Sequence, residues 1–290
     1  MVAKHWDKID CEYALNEGGV IRVVNGKVQY VGVATTEKVP RPILLSAKGT
    51  SGHGSRPRLD NPITHLAAAV GKVGNWQPPM RLNETTRAFF QKLAGISDPE
   101  EAFLFRNLED PHLGPLVQEK LRASHIGYNS MLRTSIVPTV IKGGFRNNVI
   151  PGDAMATLDV RALPDENMTN LVETLRELIN DPLVEVVPSS SHRRPAPPPS
   201  RLDTEMYAVL ERAQQKLFPQ AVTLPMLLTG ATDSAQLRAK GVQVYGIGSL
   251  STEDDSSRVH GNDERINVEG LGKFLEFVYT AVVQIAASKQ

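Results

Sequence analysis

The chain has 290 residues, 41% of them hydrophobic, with 32 Lys plus Arg against 32 Asp plus Glu. That length accommodates two domains, and the apolar content supports a packed core and excludes global disorder. Balanced charge gives no basis for a nucleic-acid partner, and a single cysteine, Cys11, excludes an intrachain disulfide and a cysteine-rich zinc site.

The N-terminus, MVAKHWDKIDCEYALNEGG, lacks the apolar core of a signal peptide, and no apolar run approaches a membrane span. A cytoplasmic location and no membrane partner are the expectation. "YALNEGGVI" reads as an apolar run ending at Glu17, where a carboxylate at a strand end points into the ligand-binding region of α/β proteins. In isolation such a residue is more often a solvated turn.

Val20 to Val33 predicts a β-hairpin around Asn25-Gly26, a pair that favours a type I′ turn. "PILLSAKG" is a strand leading into "KGTSGHGSRPRLDNP". There His53 sits between two glycines, which permit unusual backbone angles and close approach of another group. The imidazole could donate to a developing oxyanion, and an incidental turn histidine has equal weight. An apolar helix follows over Ile63 to Val73, with Asn61-Pro62 as its start signal. Arg87 to Leu121 reads as mostly helical and without evident chemistry.

"SIVPTVIKGG" and "AMATLDVRALP" are strands joined by "FRNNVIPGD". Asn148 and Arg161 flank the second. Arg161 lies between apolar residues, and its guanidinium suits either a carboxylate ligand or an ordinary salt bridge to Asp159 or Asp165. A periodic helix (Leu171, Leu175, Leu178), a strand at "LVEVVPSS" and a proline-rich linker at 189–200 come next. A helix capped by Asp203, the strand "AVTLPMLLTG", a short helix "TDSAQLRAKG", the strand "VQVYGIG" and a long helix from Val268 to Ser288 complete the chain. The Gly230-Ala231-Thr232 turn offers backbone N–H groups to an anion, or plain N-capping by Thr232 or Asp233. "STEDD" reads as a solvated acidic loop. His260, ahead of Gly-Asn-Asp-Glu, is either a metal ligand or an exposed loop residue. His65, His112, His125 and His192 stand without partners. The alternation of elements makes 1–40 and 189–290 parts of one α/β domain and 41–188 an inserted α+β domain.

The motifs "LNEGG", "KGTSGHGSRP", "NVIPGDAMATLDVRALP", "GATDSAQLRAKGVQVYGIG" and "HGNDERINVEGL" occur in an order that resembles the M20 family of metallopeptidases, nearest its carboxypeptidase S and aminoacylase-1 types. The resemblance implies an α/β catalytic domain holding two zinc-like ions, with an inserted ferredoxin-like dimerisation or lid domain. It implies a homodimer that cleaves the amide bond of a small peptide or N-acyl amino acid bearing a free carboxylate. Glu17 and His260 would be metal ligands. His53 would match the lid histidine that reaches the partner subunit's active site and steadies the oxyanion. Asn148, Arg161, Gly230 and Thr232 would match substrate-holding positions. Two departures stand out. Asn16 replaces the family's aspartate, and the H-x-D segment, bridging aspartate and Glu-Glu pair are not found in this chain. The expectation is therefore an incomplete zinc-peptidase catalytic domain, with a non-catalytic dimerising or ligand-binding module, or an inactive fragment, as the alternative. The strands near 221–228 and 242–247 are expected to leave a sheet edge and an apolar face uncovered.

Overall fold

A computed structural model describes residues 2–189 and 194–287. His192 and most of the "SSSHRR" segment lie outside the described residues. In chain order the elements are β1 (Tyr13–Asn16), β2 (Val20–Val24), β3 (Lys27–Glu37), β4 (Val39–Pro40), β5 (Ile43–Lys48), β6 (Gly52–His53), α1 (Pro62–Asn75), α2 (Glu84–Ala94), α3 (Pro99–Arg106), α4 (Gly114–Ser124), α5 (Ile126–Met131) and β7 (Ser135–Gly143). There follow β8 (Val149–Ile150), β9 (Asp153–Ala162), α6 (Met168–Ile179), β10 (Val184–Pro188), α7 (Glu205–Leu217), β11 (Val222–Leu228), α8 (Ser234–Arg238), β12 (Gln243–Gly246), β13 (Leu250–Ser251), α9 (Glu253–Ser257) and α10 (Val268–Ala287).

The chain divides into two compact units: Met1–Glu37 with Leu82–Leu132 and Pro195–Gln290, and Lys38–Arg81 with Arg133–Arg194. The boundary at 37/38 lies near the expected 40/41. The stretch 82–132, however, joins the first unit, not the insertion. Its physical reason is burial. Capped by an Asn83 capping box, α2 buries Thr85, Thr86, Phe89, Phe90, Leu93 and Ala94. Phe89 meets Tyr30 of β3 edge-on at 6.1 Å, and the Thr85 and Thr35 hydroxyls lie 3.1 Å apart.

The second unit is a ferredoxin-like β5-α1-β7-β9-α6-β10 arrangement. Its antiparallel sheet runs β10-β5-β9, with β7 on the far side of β9 and β4 extending the β5 side. Alternating residues Ile43, Leu45 and Ala47 on β5, and Ala154, Ala156, Leu158 and Val160 on β9, form one buried face. This is the period-2 pattern of a half-buried sheet. Leu66, Ala69 and Val73 of α1 and Leu171, Val172, Leu175 and Ile179 of α6 cover it. The opposite face leaves Val137 and Val140 of β7 and Met155 of β9 exposed.

In the first unit β3 is central, with β2 antiparallel on one side and β11 parallel on the other. The β2–β3 turn carries φ 50° at Asn25 and 74° at Gly26, the left-handed pair a type I′ turn requires. One face, including Ile21, Val31, Val33 and Tyr245, packs on α7 and on Phe277 and Ala281 of α10. Because α2 and α7 both pack on β11, the expected bare face over that strand is absent. The apolar surface left open is on α10 instead, at Leu275, Tyr279, Val282 and Val283. At 20 residues α10 is long and apolar enough, by length and composition, to cross a membrane, which corrects the expectation that no such run exists. Two local expectations also change: Thr204, not Asp203, caps α7, and "STEDD" forms the capping box and first turn of α9.

Candidate functional site

In the second unit, β6 and β8 form a two-stranded ribbon that pairs His53 with Val149 and Gly52 with Ile150. The Gly54 N–H donates to the Asn148 carbonyl at 2.8 Å, so His53 and Asn148 are brought together. A Cβ at Gly54 would stand 3.3 Å from the Asn148 backbone, a tight fit that a small shift would relieve. The Ser55 N–H donates to His53 Nδ1 at 3.2 Å. Since that nitrogen accepts, a neutral ring carries its proton on Nε2. The Ser55 hydroxyl lies 2.8 Å from the same Nδ1. His53 and Asn148 are both exposed.

Arg161 stands at the other end of the sheet. It faces Ser135 of β7 and Pro40 of β4, whereas Asp153 at the start of β9 faces Lys48, next to the loop that carries His53. Eight residues of strand separate Asp153 from Arg161, roughly 26 Å at about 3.3 Å per residue. One subunit therefore does not bring Arg161 together with His53 and Asn148. Arg161 Nε donates to both Asp159 oxygens, at 2.9 and 3.1 Å, the salt bridge considered from sequence. No acceptor among the described residues occupies its terminal nitrogens, and the side chain is half-buried.

Two cations missed in the sequence gather at the same end. Lys38 is fully buried, donates to Ser135 Oγ at 3.1 Å, and is pushed down to about 7 by burial, with Arg133 and Arg161 adding to the effect. Arg133 is buried and donates to the Pro78 carbonyl. The available signal was a lysine, behind Thr35, Thr36 and Glu37, near the end of the strand-like "VGVATTEKV" run.

In the first unit, Glu17 follows β1 and is exposed. The glycines after it are packing devices. A Cβ at Gly19 would lie 2.4 Å from the Gly246 carbonyl, and one at Gly248 would lie 2.1 Å from that of Gly19. The "EGG" and "GIG" motifs thus meet backbone to backbone, with the Ile247 N–H donating to the Asn16 carbonyl at 2.7 Å. Asn16 Nδ2 donates to Ser234 Oγ at 2.9 Å, a bond from an amide that an aspartate could not supply.

The Gly230 turn is held from below. The Thr232 N–H and hydroxyl donate to Glu37 at 3.0 and 2.6 Å, and Arg238 Nη1 lies 3.5 Å from the same carboxylate. Arg238 also donates to Ser200 Oγ and to the Val244 and Ala34 carbonyls. Burial pushes Arg238 down to about 10 against the opposing pull of Glu37. Thr232 is buried, and with both its donors engaged it shapes the turn, while half-buried Gly230 stays partly open to solvent. Asp233 stands at the N-cap of the five-residue α8 without a side-chain hydrogen bond, and the Thr232 hydroxyl accepts from the Ser234 N–H at 3.1 Å, so of the two expected caps it is Thr232 that holds the helix start.

His260 is exposed, has φ 65°, and donates its N–H to Glu264 at 3.1 Å. Ion pairs of Arg258 with Asp254 and Asp263, and of Arg265 with Asp254 and Asp255, rivet this loop to α9. The Thr252 cap holds the Asp255 carboxyl down to about 2. Among the described residues no group of three or more His, Cys, Asp or Glu side chains is placed to hold a metal ion. A catalytic zinc takes three protein ligands, so Glu17 and His260 do not amount to a complete donor set.

Two of the remaining histidines are less isolated than the sequence suggested. His125 stacks on Tyr128 at 5.4 Å and lies 3.5 Å from Glu101. They line a cleft of about 620 Å³ in the first unit, together with Arg22. His65 lies 2.6 Å from Asp181.

Residues 43–187, half of the chain, match the family described as peptidase dimerisation domain, M20_dimer. The chain is 28% identical over 248 residues to a probable carboxypeptidase S-like 2 of Dictyostelium discoideum, covering 85% of this chain and 47% of that protein. It is 26% identical over 281 residues to the human N-fatty-acyl-amino acid synthase/hydrolase PM20D1, covering 94% and 55%. It spans about half the length of the curated relatives it matches. Among solved structures, an M20 family metallo-carboxypeptidase from Sulfolobus solfataricus shares the fold with a TM-score of 0.62 at 15% identity, over 97% of this chain and 65% of that one. Human carnosine dipeptidase 1 does so with a TM-score of 0.62 at 17% identity, over 99% and 61%.

Proposed function

The chain belongs to the M20 peptidase family, and from that premise we propose that it acts as a homodimeric amidohydrolase on a small peptide or N-acyl amino acid with a free carboxylate. The observation that carries this reading is the opposed placement of His53 with Asn148 and of Arg161 on one sheet. Roughly 26 Å of β9 separates Arg161 from the Asp153 end of the sheet, beside the loop that carries His53, so a small substrate would meet both groups only if two chains contribute to each site.

In this reading the terminal nitrogens of Arg161, beside Lys38 and Arg133, take the substrate carboxylate. Nε2–H of the partner subunit's His53 donates to the oxygen that gains charge as the amide is attacked, and Asn148 holds the substrate backbone beside it. Gly230 presents main-chain groups from a turn braced by Thr232 and Glu37. Val137 and Val140 on the open face of β7 supply the dimer contact. Zinc or a similar divalent ion belongs to the proposal through Glu17 and His260, but their donor set is short, and nucleophile activation is assigned to no residue of this chain. That shortfall favours one second reading, a non-catalytic dimerising or ligand-binding module.

The test is hydrolysis of N-acyl amino acids and dipeptides by the purified chain, with and without added zinc. Turnover lost in both His53→Ala and Arg161→Ala supports the enzyme. A dimer that binds the substrate carboxylate through Arg161 without turnover supports the module. Turnover indifferent to both substitutions sinks the site assignment.

A further inference from the structure

His53 is carried by a closed loop, residues 49–61, with little apolar material to hold it. Its neck is tight: a Cβ at Gly49 would fall 1.9 Å from the Asp60 carbonyl. The Leu59 side chain is 99% exposed, so packing does not anchor that part of the loop. The anchors are backbone pairing with β8 and its flanking residues on one side, through Gly49, Gly52, His53 and Gly54, and polar side-chain contacts on the other. Asp60 accepts from the Thr50 N–H at 2.9 Å and from Arg58 Nε at 3.0 Å. His65, on the first turn of α1, places Nδ1 2.6 Å from Asp181 Oδ2 and Nε2 2.8 Å from the Leu59 carbonyl.

A carboxylate and a carbonyl only accept hydrogen bonds, so satisfying both contacts requires a proton on each ring nitrogen. Only the imidazolium form satisfies both contacts at once. We propose that His65 is a positioning residue for His53: held as a cation by Asp181 at the end of α6, it clamps the Leu59 carbonyl and so fixes the loop that presents His53. This rests on the assignment of His53 to the oxyanion given above.

The electrostatics of the surroundings agree. His65 is raised from 6.5, first by its hydrogen bond to Asp181 and then by that to Leu59, with Asp60 adding to the effect. Asp181 is lowered from 3.8, first by His65, with the Leu183 N–H and Lys72 assisting. The charged groups facing the pair are thus Asp181, Asp60 and Lys72, with Arg58 on the far side of Asp60. Lys72 donates to the Ile179 carbonyl, which ties α1 to the same end of α6.

The experiment is NMR of the imidazole rings and of amide exchange at residues 52–59 in the whole chain, as wild type, His65→Gln and Asp181→Asn. Both His65 ring nitrogens should be protonated at and somewhat above pH 6.5. Loop exchange should quicken roughly tenfold or more in each variant, with α6 amides unchanged as the folding control. In the wild type the same loosening should set in as pH rises through the His65 midpoint. A singly protonated His65 ring below pH 6.5, or loop exchange within about twofold of wild type in both variants, would overturn the proposal. The readout needs no turnover. If His53→Ala leaves hydrolysis intact, the oxyanion assignment fails while the clamp stands, and unchanged exchange removes the clamp while leaving that assignment in place.

Discussion

A site shared between two chains makes a quantitative prediction about mixtures. Take His53→Ala and Arg161→Ala, each inactive as a homodimer because every site lacks one of the two groups. In a mixed dimer, Arg161 of the first chain meets His53 of the second, and that site is intact. The other site carries both lesions. Random reassortment of equal amounts makes about half of the dimers mixed, each with one good site in two, so the mixture should recover about one quarter of wild-type activity. The assay is hydrolysis by variants mixed under conditions that let subunits exchange, against each variant alone. If the site were built in one chain, mixing would restore nothing. An exchanged mixture no more active than the mean of its two components would therefore refute the shared site. So would activity in either variant alone close to wild type, because it would mean that the missing group does not act.

The remaining predictions concern stability, pH, metal and assembly. Glu37→Gln leaves the Arg238 charge buried without its carboxylate, and should cost the first unit about 3 kcal/mol, or about 1.5 M in urea midpoint at an m-value of about 2 kcal/mol/M. Trp6 reports on that unit and Trp76 on the other, so matching losses at both probes would count against a local effect. Because His65 is raised from 6.5, its contribution is full below pH 6.5 and fades as pH rises through the folded value. Because Asp181 is lowered from 3.8, its contribution is full above pH 3.8 and fades as pH falls through the folded value. The second unit should thus be most stable between those limits, and a pH series of Trp76 unfolding in wild type and His65→Gln checks it. Zinc titration calorimetry of the chain alone should find no tight site, and two tightly bound ions would mean that the ligand assignment is wrong. Val140→Asp should convert a dimer to a monomer by light scattering, while an unchanged dimer would move the interface elsewhere.

Much of the second unit is legible in the sequence because its strands obey period 2 and bury one face. Ile43, Leu45 and Ala47, then Ala154 to Val160, name that face directly, and the Asn25-Gly26 turn is equally plain. The stretch 82–132 was harder. Its helical pattern is evident, but nothing local says that Phe89 packs beside Tyr30, some sixty residues earlier, and not beside the nearer α1. The partners of His65 were hidden for the same reason, since Asp181 is 116 residues away. Glu37 and Lys38 are adjacent in sequence yet belong to different units, a separation that neither charge nor hydropathy announces.

The glycine-rich motifs carry a related lesson about what marks chemistry. "EGG" and "GIG" are small because two backbones cross there. These glycines hold the framework, and none of them needs a ligand to explain it. Arg161 is different. Its neighbours satisfy only Nε, and its terminal nitrogens are left on a half-buried strand among other cations. Burying a guanidinium costs free energy that a salt bridge through one nitrogen only partly offsets, so its placement is better explained by an acidic group that arrives from outside the fold. His53 follows the same logic from the other end of the sheet, an exposed residue whose Nδ1 is engaged by its own loop. Two polar groups, each half satisfied and too far apart to help one another, make sense together once a second copy of the chain is present.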